Sequence, residues 1–276
     1  MHRPARLVLL GQPVAHSLSP VFQNAALEAA QIAAHYDVMD VNGEALGSTM
    51  RELAATGAAG NVTIPHKERV AAIVDVISPL AAHVGAVNTW WTEDGLLHGD
   101  NTDVGGFDEA VVALIGKIPA HARVAILGSG GAARAAAVAI ARWPDARLAL
   151  WGRDADRARQ LVALGPTGRT VREDAMFNAV RNATLVVNAT SIGLLDEELP
   201  IEPDQLADDT ACLDLVYRRD GTTPWVRRAR EEGRLAADGV QMLIGQGARS
   251  WASWFGVAPD RDVMLRALQA AVRRAD

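Results

Sequence analysis

Short apolar or β-branched runs alternate along the chain with longer segments whose apolar residues recur at helical spacing. Arg6–Leu10, Tyr36–Val41, Gly60–Ile64, Ala86–Trp91 and Leu96–His98 predict strands. Between them, Pro20–Ala34, Glu44–Ala55, His66–Val76 and Pro79–Val84 predict helices. Ser19 before Pro20 predicts a serine cap with proline in the first turn, where its missing N–H costs nothing. A second series opens with a helical pattern over Phe107–Ile115, which Lys117-Ile118-Pro119-Ala120 breaks. Arg123–Leu127, Arg147–Trp151, Thr184–Asn188, Cys212–Val216 and Leu235–Ala237 then predict strands. Gly131–Arg142, Ala155–Leu164, Gly239–Phe255 and Arg261–Arg274 predict helices, the last two amphipathic. This alternation predicts an α/β protein with mostly parallel sheets and helices on both faces. It reads as two units in tandem, the second beginning near residue 104.

Composition narrows the function. The 276 residues are 49% hydrophobic and 22% charged, enough apolar material for a sizeable core and no basis for disorder. A net charge of -6 provides no global attraction for nucleic acid. One cysteine, Cys212, cannot build a disulfide framework or a cysteine-rich zinc site and points to a reducing compartment. The seven histidines are scattered, with no second ligand at helical spacing, so no metal site is expected. No apolar stretch has the length of a membrane span or signal peptide, so a cytoplasmic protein is expected.

The strand predicted at Arg123–Leu127 runs into Gly128-Ser129-Gly130-Gly131-Ala132-Ala133 and then an alanine-rich helix. In a GxGxxA turn of this kind Gly128 permits the tight bend and Gly130 lets the backbone approach a pyrophosphate. Ala133 allows close packing of helix on sheet, and the helix N-terminus holds the anion. The strand–turn–helix setting makes this a dinucleotide site of the Rossmann type. The cofactor's 2′ position is read at the end of the next strand, in Trp151-Gly152-Arg153-Asp154 and Arg157. Arg153 and Arg157 suit a 2′-phosphate and favour NADP. Asp154 suits a bare ribose hydroxyl, which keeps NAD open, and all three could simply be solvated residues at a helix start.

Four polar strings lie near predicted strand ends: His16-Ser17-Leu18-Ser19-Pro20, Asn61-Val62-Thr63-Ile64-Pro65-His66-Lys67, Ala86-Val87-Asn88-Thr89 and Asn101-Thr102-Asp103. Of 27 basic residues only Lys67 and Lys117 are lysine. A guanidinium cannot give up a proton in a protein whereas an ammonium can, so Lys67 reads as a candidate for proton transfer rather than a surface cation, while Lys117, in a predicted loop, has no such polar companions. Beside a nicotinamide, Lys67 and Asp103 read as a coupled acid/base pair for alcohol–ketone interconversion, with their separate roles left open.

The strings GQPVAHSLSP, NVTIPHK, AVNT and GDNTD, followed by GSGGAAR, NATSIG, DLVY and DGVQMLIGQ, resemble the shikimate dehydrogenase family in order and spacing, from Gly11 to about Trp251. The resemblance implies reversible, NADP-dependent reduction of 3-dehydroshikimate to shikimate in aromatic amino-acid biosynthesis. It implies a substrate domain over residues 1–104, completed by the helices of 239–276, and a Rossmann NADP-binding domain over 105–238. It assigns Ser17 and Ser19 to the substrate carboxylate, and Thr63, Asn88 and Gln246 to the ring hydroxyls. Tyr217 lines the cleft, and Lys67 with Asp103 is the catalytic pair. Asn188-Ala189-Thr190-Ser191, Leu215 and Gly239 fall where the family meets its cofactor, and join Gly128, Ser129, Gly130, Gly131, Ala132, Arg153, Asp154 and Arg157 of the dinucleotide motif as candidate cofactor residues.

The chain departs from the family pattern in three places. Gly152-Arg153-Asp154 stands for the usual Asn-Arg-Thr, Gln23-Asn24 for His-Asn, and Gln241 for the glycine before Met242. These leave open an NAD-linked oxidoreductase acting on quinate or aminoshikimate. A non-catalytic nicotinamide sensor is the alternative of a different class, against which the retained lysine argues. The expected partner is a small molecule, with no nucleic acid and no membrane, in a monomer or homodimer.

Overall fold

The computed structural model describes residue 4, residues 6–165 and residues 167–273. Met1-His2-Arg3 and the final Arg274 of the last predicted helix lie outside the described residues. The chain divides into two compact units, one running to Asp103 and resuming at Leu243, the other spanning Val104–Met242.

The first unit begins with β1 (Arg6–Gly11), α1 (Ser19–Ala29), β2 (His35–Asp40), α2 (Leu46–Ala55) and β3 (Ala59–Val62). It continues through α3 (Lys67–Val70), β4 (Val76–Ile77), α4 (Pro79–Val84), β5 (Thr89–Glu93) and β6 (Leu96–Asp100). The strands form one mixed sheet in the order β2-β1-β3-β5-β6-β4. β1 pairs in parallel with β2 and β3, while β5 runs antiparallel to both β3 and β6. Central β1 is buried from Leu7 to Gly11, whereas edge strand β2 alternates buried and open positions. The β5–β6 turn is Asp94-Gly95, both at positive φ (51° and 77°), the geometry in which this dipeptide favours a tight hairpin. Beneath the sheet Val8, Leu10, Met50, Val62, Val70 and Trp90 form one apolar cluster.

The second unit carries α5 (Asp103–Ile115), β7 (Arg123–Leu127), α6 (Gly131–Ala141), β8 (Arg147–Trp151), α7 (Ala155–Val162), β9 (Gly168–Thr170) and α8 (Glu173–Arg181). It closes with β10 (Leu185–Asn188), a short 3-10 turn at Pro203–Gln205, β11 (Ala211–Asp214), α9 (Pro224–Glu231) and β12 (Ala236–Ala237). Then come α10 (Val240–Phe255), most of whose length belongs to the first unit, and α11 (Arg261–Arg273). All pairings in this sheet are parallel, in the order β12-β11-β10-β7-β8-β9. Numbered within the unit, that is the doubly wound 3-2-1-4-5-6 order, whose direction reverses between β7 and β10. The protein is therefore α/β, its second unit a Rossmann fold. Among the described residues no helix is long and apolar enough to cross a membrane.

Several local expectations are corrected. Ser19 does not cap α1: the cap position is Leu18, and Ser17 Oγ accepts from Ser19 N at 3.2 Å. α1 stops at Ala29 rather than Ala34 because Gln31 turns left-handed (φ 53°), which the helix-favouring Ala-Gln-Ile-Ala composition does not reveal. The helix expected over His66–Val76 is a single turn, α3. Val74, Val76 and Ile77 are β-branched, and Val76 and Ile77 instead pair in parallel with β6. Ala86–Asn88 precede strand β5, although Asn88 still donates through its N–H to Asp100 O at 3.1 Å. Helices α8 and α9 and strand β9 escape the pattern because their buried sets are short, such as Trp225, Val226 and Ala229 within the otherwise charged PWVRRARE.

The ends of β10 and β11 are joined inside the second unit. Asn188 Nδ2 donates to Asp214 Oδ1 at 2.9 Å and the Thr223 hydroxyl to Asp214 Oδ2 at 2.7 Å. Asp214 is fully buried, and this burial, with a smaller contribution from the charge of Asp238, pushes its carboxyl up to about 6 against the three donors that favour the anion.

Two outcomes follow from this packing. A Cβ on Gly60 would lie 1.9 Å from Val8 O in the adjacent central strand, so Gly60→Ala lowers unfolding free energy by about 3 kcal/mol or more, read from urea denaturation. An exposed aspartate titrates near 3.9 and the native Asp214 near 6, so its protonated form is the one folding favours. The stability this group contributes is complete below about pH 4 and is lost as pH rises through about 6. Asp214→Asn mimics the protonated form, and its Tm relative to the parent protein is therefore more favourable at pH 8 than at pH 4.

Candidate active site

In the first unit the loop after β3 delivers Lys67 to the first position of α3, and the chain leaving β6 delivers Asp103 to the first position of α5. Lys67 Nζ donates to Asp103 Oδ2 at 2.7 Å, with side-chain exposures of 17% and 6%. The pair is shielded yet reachable at its ammonium end. His66, one residue before, is buried with Nε2 2.6 Å from Val41 O, so it anchors the loop beneath the lysine.

The second carboxylate oxygen is also committed. Asn88 Nδ2 donates to Asp103 Oδ1 at 3.0 Å and to Thr102 Oγ1 at 2.9 Å, while its Oδ1 accepts from Thr102 N at 2.7 Å. That backbone donor sets the amide's orientation, because only the oxygen can face an N–H. Asn88 Nδ2 also lies 3.3 Å from Gln246 Oε1, and Gln246 Nε2 turns back to Leu243 O at 2.8 Å on its own helix. Asp103 N donates to Asn101 Oδ1 at 3.1 Å. Beneath this layer Ser250 accepts from Asn61 Nδ2 at 2.8 Å, lies 3.1 Å from Thr102 Oγ1 and donates to Gln246 O at 3.0 Å. Asn61 in turn accepts from the Tyr36 hydroxyl at 2.8 Å. The geometry thus brings together Lys67, Asp103, Asn88 and Gln246, and adds Thr102 and Ser250, to which sequence reasoning gave no role. Thr102 lay inside a quoted string, whereas Ser250 sits in an apolar helix with no pattern to mark it.

Three further positions from the sequence lie in the same unit. Ser17 and Ser19 are buried, and among the described residues the Ser19 hydroxyl has no partner. Thr63 is half-buried, its N–H on Leu10 O and its hydroxyl without a partner among the described residues. Hydroxyls left open in this way can bind an anion or a polyol.

The second unit holds the other candidates. Gly128 ends β7 at φ +116°, and a Cβ there would lie 2.6 Å from Ala189 O at the end of β10, so glycine is required at the point where strand order reverses. A Cβ on Gly130 would meet nothing within 4 Å, and α6 starts at Gly131 with no side-chain cap. Open space over an uncapped helix N-terminus is what a phosphate needs. Gly131 and Ala132 open that helix, and Ser129 packs on Gly152. Asp154 is the cap of α7, its Oδ1 accepting from Asp156 N at 3.1 Å and Arg157 N at 3.0 Å, while Arg153 and Arg157 are exposed beside it. Thr190 is folded onto Asn188 Oδ1 through both its N–H and its hydroxyl. A Cβ on Gly239 would lie 2.4 Å from Leu215 O, so two loops of the unit meet there. Tyr217 is half-buried on the loop after β11. Among the described residues no group of three or more His, Cys, Asp or Glu side chains is placed to hold a metal ion.

Known proteins share this arrangement over nearly their whole length. Residues 9–90 match the model of the shikimate dehydrogenase substrate binding domain, and residues 239–269 that of the shikimate 5′-dehydrogenase C-terminal domain. A shikimate dehydrogenase (NADP(+)) of Geobacter metallireducens is 38% identical over 278 residues, covering 97% of each chain. Another, of Rubrobacter xylanophilus, is 40% identical over 268 residues, covering 94% of each. Among solved structures, the shikimate 5-dehydrogenase of Thermus thermophilus in complex with NADP(H) and shikimate superimposes with a TM-score of 0.86 at 37% identity, over 96% of this chain and 99% of that one. On this likeness of sequence and fold, the chain belongs to the shikimate dehydrogenase family.

Proposed function

We propose that this protein catalyses the reversible, NADP-dependent reduction of 3-dehydroshikimate to shikimate, with Lys67 and Asp103 as its catalytic pair. The observation that carries the reading is the shielded ion pair at 2.7 Å in a chain of this family. Ketone reduction adds a hydride to carbon and a proton to the developing alkoxide. When bound, NADPH supplies the hydride. Lys67 supplies the proton: one of its N–H groups is held by Asp103 Oδ2, which leaves the others to face a substrate oxygen. In the reverse direction the same amine takes the proton back. Asp103 cannot swing away to accept from elsewhere, because Asn88 holds its other oxygen.

The remaining assignments follow the chemistry of each group. The Ser17 and Ser19 hydroxyls receive the substrate carboxylate, and Thr63, Asn88 and Gln246 receive the ring hydroxyls. Neutral donors suffice for the carboxylate because Lys67 already neutralises Asp103, so the anion meets no free negative charge there. For the cofactor, the glycine turn at Gly128–Ala132 takes the pyrophosphate and Arg153 with Arg157 the 2′-phosphate. The capping bonds of Asp154 favour NADP over NAD, since its carboxylate is already engaged at the start of α7. A cytoplasmic place of action goes with this reading, supported by a lone cysteine that is buried and free.

Loss of NADPH absorbance on addition of 3-dehydroshikimate tests the activity, and no turnover with that ketone or a close analogue overturns it. Lys67→Ala lowers kcat about 10²–10⁴-fold, the range of a lost general acid, with folding checked by circular dichroism. Ser17→Ala acts mainly on KM, raising it about tenfold while kcat stays within about threefold, as expected for a group that holds ground state and transition state alike.

A further inference from the structure

Asp214 has no part in the chemistry above, yet three hydrogen-bond donors engage both of its oxygens. It is fully buried at the end of β11, and among the described residues no cation pairs with it. Its Oδ1 accepts from Asn188 Nδ2 at 2.9 Å and from Val216 N at 3.0 Å. Its Oδ2 accepts from the hydroxyl of Thr223, the cap residue of α9, at 2.7 Å. A buried anion without a cation is costly, and here only three neutral donors offset it.

Those donors belong to the two loops that leave the C-terminal edge of the Rossmann sheet. Asn188 passes the constraint on: its Oδ1 accepts the N–H and hydroxyl of Thr190 at 3.0 and 2.7 Å, and Thr190 Oγ1 accepts from Ile192 N at 3.1 Å. Asn188 O accepts from Leu215 N at 2.9 Å, which ties the second loop to the first. Both loops also abut glycines that have no room to yield, with Ala189 O against Gly128 and Leu215 O against Gly239. A shift of the loop after β10 therefore bears directly on Gly128 of the glycine turn, and the bond from Leu215 N to Asn188 O couples the loop after β11 to it.

We propose that Asp214 is a positioning residue for nucleotide binding, its two oxygens holding the loops after β10 and β11 in the one arrangement that keeps the mouth of the Rossmann sheet open to the dinucleotide. The proposal rests on the functional reading above only for the identity of that nucleotide. A residue of purely structural value would lower thermal stability without selecting which loops loosen or which ligand is lost.

The test uses the full chain carrying Asp214→Ala, Thr223→Val or Asp214→Asn. Amide hydrogen exchange is followed in the nucleotide-free protein over residues 189–194 and 215–219, and NADP⁺ and shikimate affinities are measured by calorimetry. Asp214→Ala is expected to speed exchange in both segments and to weaken NADP⁺ about tenfold or more, with shikimate affinity unchanged. Thr223→Val, which removes one donor, has the same sign at about threefold and serves where the alanine variant does not fold. Asp214→Asn still accepts at Oδ1 and can donate to Thr223 Oγ1, so it stays within about threefold of the parent protein. Exchange that is unchanged in the alanine and valine variants overturns the proposal. So does faster exchange with intact NADP⁺ affinity, or an asparagine variant as weak as the alanine one. If the parent protein binds NAD⁺ and not NADP⁺, the cofactor assignment falls, and the same comparison made with NAD⁺ decides the positioning role.

Discussion

An ammonium and a carboxylate 2.7 Å apart, both largely withdrawn from water, persist only when the oxygens and protons they do not share are engaged as well. At Lys67 and Asp103 that condition shapes everything around them. Asp103 Oδ1 needs a donor, which makes Asn88 turn its Nδ2 inward. Asn88 needs an acceptor fixed in direction, which the Thr102 hydroxyl supplies. Thr102 rests on Ser250, and Ser250 on Asn61 and the Tyr36 hydroxyl. The polar chain crosses from the loop after β3 to the end of β6 and on to α10. The helix that carries Gln246 is thus seated by the same bonds that hold the Asp103 carboxylate.

The two sheets answer different demands. The first is mixed, because a hairpin of β5 and β6 can place Asn88 and Asp103 at one edge of the pairing with only a few residues between their strands. The second is wholly parallel, so every connection must cross over, through α-helices except between β10 and β11, where the chain passes through the 3-10 turn at Pro203–Gln205. That connection leaves every strand's C-terminal end on one side, and the reversal between β7 and β10 opens a crevice there. Gly128 stands at that reversal, where even a methyl group would strike Ala189 O.

Much of this was written in the chain in a form that local chemistry makes legible. Glycine spacing reveals the turn at the end of β7 because the tight bend at Gly128 excludes a side chain. Lys67 stands out because arginine fills nearly every other cationic position. What stayed hidden depends on partners distant in sequence. Ser250 acquires meaning only when α10 packs beside Asn61, 189 residues away. Asp214 looks like an ordinary strand end until Asn188 and Thr223 surround it. The cap assigned to Ser19 failed for a related reason: Ser17 two residues earlier offers the better-placed oxygen, a choice that composition cannot make. Asp154, open between ribose acceptor and helix cap in the sequence, caps α7 through two backbone N–H groups that reach its Oδ1.

Asp103 and Asp214 show two solutions to one problem, keeping a carboxylate away from water. Asp103 is offset by a cation, and in the proposed reaction the proton that makes Lys67 a cation is the one transferred. Asp214 is offset only by neutral groups, and burial leaves its carboxyl pushed up to about 6. Neutral donors have fixed directions and no proton to release near neutral pH, so they suit a joint that must hold still. A cation–anion pair tolerates small changes of angle and can pass a proton without collapsing, so it suits a joint that must react. The placement of the lysine beside one aspartate and not the other is therefore the physical distinction between the carboxylate proposed to take part in proton transfer and the one proposed to hold loops in place.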